Sequence, residues 1–211
     1  MFTVQTVSMP KIKITKEELL AHIWDLVHRN GYQATSIAKV SAAAGIGKAG
    51  VLHHFGSKEN MMIEVIQWAR VNFKGYVLSA FAKTGIDKAG NPWTLESRFA
   101  EAFRRQVRLV RRENAGCFFA NSMLEVGTDP AFSKDLEGFF TDWTGAVETL
   151  LQERFSIAES KERTYRLWTD YQGSVMIFKT TGDKSHLDRY RDRSLASFAH
   201  PIYSIPKSLS L

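Results

Sequence analysis

Three groups of residues have types and spacings that could do chemistry. "GIGKAG" at 45–50 has the G-x-G-x-x-G spacing of a turn that cradles a pyrophosphate. His53 and His54 are adjacent imidazoles able to bind a metal or donate to phosphate. Cys117 is the single cysteine. It follows Arg108, Arg111, Arg112 and Gly116 near an expected helix start, and both neighbouring cations and a helix N-terminus lower a thiol pKa.

Each reading makes further demands. A dinucleotide turn must follow a strand, open a helix, and precede by about 20 residues an acidic group for the ribose. Here the preceding "SIAKVSAAA" is alanine-rich with helical spacing, and "WARVNFKG" near position 70 holds no Asp or Glu. A P-loop fails too, because Ala42 stands where its first glycine belongs and Ala49 replaces Ser/Thr. No HExxH motif or Cys/His set accompanies the two histidines, so no metal is expected. A helix–turn–helix explains the same residues better. Gly45 makes the turn, Ile46 plugs the junction, and Gly47 caps the second helix. Val51 and Phe55 then face inward, leaving Lys48, Gly50, Leu52 and His53 outside. No catalytic residue and no cofactor is expected; a nucleotide-dependent enzyme using 45–50 is retained as the rival reading.

The elements that position these residues are helical throughout. Thr15 and Glu18 form a capping-box pattern ahead of Leu19, Leu20, Ile23, Trp24 and Val27, and Gly31 stops that helix. The spacing predicts helices over about 16–30, 36–43, 48–54 and 57–80. "AKTGIDKAGNPW" reads as a loop, followed by helices over about 94–113, 115–127, 130–155, 160–181 and 184–199. Asp129 before Pro130 is a specific start signal. The division expected is a basic arm over 1–14, a helix–turn–helix unit over 15–60, a ligand-binding and dimerisation unit over 61–199, and a tail over 200–211.

Composition agrees with this outline. The 211 residues are 44% hydrophobic, enough for a sizeable core, and a lone cysteine points to a reducing compartment. With no signal-peptide pattern and no long apolar run, a cytoplasmic protein without membrane association is expected. The net charge of +6 favours a polyanionic partner, and residues 1–75 carry nine Lys or Arg against five Asp or Glu. A second basic run, Arg98, Arg104, Arg105, Arg108, Arg111 and Arg112, reads as a solvated helix face before a ligand or nucleic-acid site.

Residues 17–66, "EELLAHIWDLVHRNGYQATSIAKVSAAAGIGKAGVLHHFGSKENMMIEVI", resemble the N-terminal DNA-binding domain of TetR-family transcriptional regulators. The likeness runs in one register through G-Y-x-x-T-S, the A-A-G-I turn, L-H-H-F and S-K-E. The resemblance implies an all-α fold, a homodimer, repression of a near-palindromic double-stranded operator, and release by a small-molecule effector. Carried over by position, it implies DNA contacts from Thr35, Ser36, Lys48, Gly50, Leu52, His53, His54 and Lys58. Gly50 and Leu52 stand where the family often has Thr and Tyr, and Ala38 where a longer polar residue is frequent, so direct base readout is expected to be sparse. That thin face keeps open a helical ligand-binding protein that has lost DNA binding.

In the second unit most aromatics are expected to be core. Phe103, Cys117, Asn121, Trp143, Trp168, Tyr171 and Gln172 are the candidate ligand residues. Cys117 is expected to be either a small buried hydrophobe or, as in some relatives, a sensor of oxidants or electrophiles. The last two helices resemble the family's dimer-forming pair, with Gly173 and Ser174 allowing close approach and Trp168, Val175, Leu187, Tyr190 and Leu195 as apolar contacts.

Overall fold

The computed structural model describes residues 14–112 and 115–199; residues 1–13 of the basic arm, with Lys11 and Lys13, and the tail over 200–211 lie outside them. The fold is all-α. Its helices are α1 (Lys16–Asn30), α2 (Ile37–Ala44), α3 (Lys48–Phe55), α4 (Lys58–Tyr76), α5 (Leu95–Val110), α6 (Phe118–Val126), α7 (Pro130–Leu151), α8 (Ile157–Thr181) and α9 (Ser185–Ser197).

Local chemistry sets the ends. Thr15 and Glu18 cap α1 reciprocally, Ser57 accepts from Asn60 N–H to open α4, and Asp129 caps α7 ahead of Pro130. Some ends differ from expectation. The fourth helix stops at Tyr76 and continues as a 3₁₀ turn, Leu78–Ala80. Gly116, at φ +81°, holds residues 115–117 out of α6, which starts at Phe118 instead of 115. Ser156 accepts from Glu159 N–H, so α8 starts at Ile157, before the expected 160. The 82–93 loop is pinned by an Ile86–Pro92 bridge and by Asp87, whose carboxylate accepts from the Ala89 and Asn91 N–H groups.

Leu19, Ile23 and Val27 of α1 meet Val40 of α2, Val51 and Phe55 of α3, and Met61, Met62, Val65 and Ile66 of α4 in a buried core. This cluster runs on without a break through Phe73, Phe119, Phe139 and Trp143 to Tyr171, Phe178 and Tyr190. Phe119 and Phe139 stack with ring centroids 3.5 Å apart, fixing α6 on α7. Each fully buried side chain of this size contributes about 1.5–3 kcal/mol, so α1 and α4 couple the short-helix unit firmly to the bundle. Ile14, assigned to the arm, already packs on this core.

The second basic run is mostly a solvated face, with Arg104, Arg108, Arg111 and Arg112 exposed, but some of its members are also structural. Arg98 is buried, pairs with Glu153 and donates to the Phe81 carbonyl at 3.3 Å. Arg105 donates to the Tyr76 carbonyl at 2.7 Å, and Arg108 to the Tyr76 hydroxyl at 3.1 Å. A guanidinium fork can satisfy several acceptors at once, which lets this run tie α5 to the end of α4.

Candidate nucleic-acid interface and adjoining cavity

The α2–α3 connection is a tight turn. Gly45 adopts left-handed φ 65°, ψ 24°, which costs a glycine nothing, and its N–H donates to the Ser41 carbonyl. Ser41 also donates its hydroxyl to the Ile46 carbonyl at 2.5 Å, locking the turn. Sequence reasoning passed over Ser41, although a hydroxyl one turn before such a glycine is a usable signal. Val51 and Phe55 are buried while Lys48, Leu52 and His53 are exposed, Leu52 by 43%; Gly50 and His54 are half-buried. The outer face of α3 therefore carries one cation, one leucine and imidazoles, with ordinary space beside Gly50.

Two further candidates sit differently from one another. Ser36 is exposed and caps α2 by accepting from Lys39 N–H at 3.2 Å. Thr35 departs from the expectation of an outward hydroxyl. Its side chain is 1% exposed and donates to the Gly31 carbonyl at 2.7 Å, because the α1–α2 loop closes over it. Lys58 is half-buried at the start of α4, with Nζ 3.2 Å from the Gln33 carbonyl and 4.3 Å from the Tyr32 ring centroid. The same loop is gripped from the far side by Glu125 of α6, whose carboxylate accepts from Tyr32 N–H at 2.8 Å and Gln33 N–H at 2.7 Å. Gly31, at φ +82°, packs against that carboxylate, and a Cβ there would lie 2.8 Å from it. Nothing in the local pattern around Glu125 signals this role.

Behind α1 lies a cavity of about 740 Å³. α1 contributes Trp24, Asp25 and His28; α4 contributes Trp68, Phe73 and Tyr76; the rest comes from α5, the 116–117 segment, the start of α6 and Tyr171. His28 Nε2 lies 2.8 Å from the Gly116 carbonyl, so that nitrogen carries the proton and donates. Burial lowers the His28 pKa, opposed by that hydrogen bond and by Asp25. At the mouth Arg112 lies 3.6 Å from Asp25 and over the Trp24 ring.

Of the candidate ligand residues, Cys117 and Tyr171 line this cavity. The other five lie elsewhere. Phe103 packs on Tyr190 and lines a separate groove between α5 and α9. Trp143 is buried against Trp168, whose ring also meets exposed Phe140. Asn121 donates to the Ala115 carbonyl and accepts from Lys179. Gln172 reaches the Cys117 thiol at 4.0 Å. Cys117 itself is buried and its pKa is raised, because the low-dielectric surroundings outweigh the features expected to lower it. Trp24 and His28 of α1 were missed as lining: periodicity marks Trp24 as inward-facing but does not reveal where inward residues leave a void. Among the described residues no His/Cys/Asp/Glu group is arranged to hold a metal ion, and no helix is long and apolar enough to cross a membrane.

The proposed dimer contacts divide. Ser174, Val175, Leu187 and Tyr190 are buried within the chain, holding α9 on α8 and the core. The outward apolar surface of this region is instead Tyr165, Met176 and Ile177 of α8 with Phe140 of α7.

Residues 19–65 match the family model for bacterial regulatory proteins of the tetR family. These residues carry the tetR-family DNA-binding domain. Most of the chain's length is similar to an uncharacterised helix–turn–helix transcriptional regulator from the lacX 3′ region of Lactococcus lactis, 22% identical over 191 residues, covering 89% of this chain and 94% of the relative. In fold it is similar to a TetR transcriptional regulator of Legionella pneumophila (TM-score 0.79, 21% identity, 89% of this chain and 99% of that one). A second similar structure is a regulator from Saccharomonospora viridis in complex with choline (TM-score 0.69, 18% identity, 85% and 92% covered). With this helix–turn–helix domain, the chain is a DNA-binding transcriptional regulator.

Proposed function

We propose that this regulator is a cytoplasmic homodimeric repressor that a small molecule releases from a near-palindromic operator. The proposed division is residues 15–60 for DNA and 61–199 for effector and dimer. The observation that supports it best is the continuity between the two sites: α1, which carries the helix–turn–helix on one side, forms a wall of the cavity on the other. A molecule there that fits one arrangement of α1 and α6 better than another shifts the pose of α3 by its differential affinity. On DNA, Lys48 and the imidazoles of His53 and His54 meet base edges or phosphate, Ser36 meets phosphate, Leu52 meets a thymine methyl, and Gly50 allows close backbone approach. Lys58 meets a phosphate when its ammonium turns from the Gln33 carbonyl.

The test is selection of bound duplexes from random DNA, followed by retesting the winner for release against a metabolite panel. An enriched palindrome is expected, with half-sites about 34–36 Å apart or a multiple of that. Absence of any enriched palindrome would sink the reading. Lys58→Ala is expected to weaken all sequences about equally and reduce the salt slope by about one, whereas Lys48→Ala changes base preference. A changed preference with Lys58→Ala reverses those roles.

A further inference from the structure

The cavity, read as the effector site above, also carries information about what fits it. Its exposure is graded: Ala21, His22, Asn72 and Arg112 are exposed, whereas Gln106, Cys117, Phe119 and Tyr171 are buried. Between mouth and floor the walls are Trp24, Trp68, Phe73, Tyr76 and Phe118, which offer flat apolar surface. A volume of about 740 Å³ lies within the usual range for sites that enclose a drug-sized molecule.

Two groups at the floor stand out. Gln106 is 6% and Tyr171 1% exposed, and neither the Gln106 Nε2 nor the Tyr171 hydroxyl has a hydrogen-bond partner among the described residues. Both line the same cavity, and burial keeps the phenol protonated. Both are therefore donors. Buried donors are ordinarily satisfied, and a single sp² oxygen has two lone pairs with which to satisfy two of them.

Charge narrows the class further. The charged side chains among the lining are Asp25 and Arg112, 3.6 Å apart at the mouth, where Asp25 pairs more closely with Arg29. A carboxylate ligand would find no cation at the floor. A quaternary ammonium would find the Trp24 face already under the Arg112 guanidinium, 5.7 Å from the ring centroid. We infer that the cavity takes a neutral, aromatic-bodied molecule whose carbonyl-type oxygen accepts from both Gln106 Nε2 and the Tyr171 hydroxyl.

Equilibrium dialysis of the full chain against four probes tests this: 9-fluorenone, fluorene, 9-oxofluorene-4-carboxylate and choline. Fluorenone is expected to bind about tenfold more tightly than fluorene, the worth of roughly one net hydrogen bond, and more tightly than either charged probe. Tyr171→Phe and Gln106→Leu should each bring fluorenone towards the fluorene value and leave fluorene unchanged or tighter. The inference is overturned if fluorene matches fluorenone, if a charged probe binds best, if nothing binds, or if the variants lose ketone and hydrocarbon alike. Should a variant not fold, the ketone-to-hydrocarbon ratio of the unaltered chain still decides. Adding the probes to the selected duplex complex separates the two readings. Fluorenone binding without duplex release leaves the ligand class standing and removes the effector role, whereas release by a charged probe alone does the reverse.

Discussion

Gly50 occupies a helical position with room beside it: a methyl group there would lie 3.5 Å from Ile46 Cδ1, an ordinary contact. The interior of the protein therefore does not require glycine. Glycine within a helix costs about 0.5–1 kcal/mol relative to alanine, so Gly50→Ala is expected to stabilise the fold by that amount in urea melts. If the bare position serves close approach to DNA, the same substitution lowers operator affinity severalfold in mobility-shift titrations. A variant that is more stable and binds as well as the parent would remove Gly50 from the interface. Thr35 illustrates the opposite case. Its hydroxyl already serves the Gly31 carbonyl inside the loop, leaving Ser36 as the hydroxyl that faces out at the start of α2.

At the scale of elements, α6 connects the two sites. Its first residues, Phe118 and Phe119, line the cavity, and Glu125 in its last turn holds the Tyr32 and Gln33 N–H groups of the α1–α2 loop. A shift of α6 is thereby felt at α2 and, through the Gln33 carbonyl, at Lys58. Glu125→Ala is expected to cost about 0.5–1.5 kcal/mol, small because the pair is exposed, yet to uncouple the sites. In a duplex-release assay the variant should need more effector for half-release while the cavity binds it as before; an unchanged release curve would place the coupling elsewhere. Such a link is illegible in sequence, because Glu125 lies 93 and 92 residues from its partners. Local signals read well by contrast. The capping pair Thr15/Glu18, the Asp129–Pro130 start and the Gly45 turn each act within a few residues, so the helix ends they mark follow from them. The 3₁₀ turn at Leu78–Ala80 has no such marker. Where neighbours touch also escapes periodicity, which is why Phe103 and Trp143 read as ligand candidates although neither lines the cavity behind α1.

For the whole molecule, the proposed two-fold contact falls on the apolar side chains exposed among the described residues of α8 and α7: Tyr165, Met176 and Ile177 with Phe140. An isologous dimer brings the same residues together from both copies, so a charge placed near the axis meets its own kind. Met176→Glu is expected to give a monomer in sedimentation at micromolar concentration and to abolish palindrome binding; a dimer that survives would place the interface on another face. The joint between the two halves of the chain makes a separate prediction. His28 links α1 to the Gly116 carbonyl as a neutral imidazole, with its pKa held below the ordinary 6.5 by burial. The unfolded chain therefore takes up a proton first as pH falls, and the stability contributed by this group is present above about pH 6.5 and declines below it. Lys179 and Arg112 oppose the charged form and Asp25 favours it, leaving burial to set the sign. Glu101, held at about 2 by Arg104, loses its contribution only in much stronger acid and does not confuse this window. Melting temperatures between pH 7.5 and 5.5 should fall for the native chain. His28→Gln, which keeps an N–H for the Gly116 carbonyl but cannot titrate, should flatten that slope; an equal slope in both proteins would assign the acid sensitivity to another group.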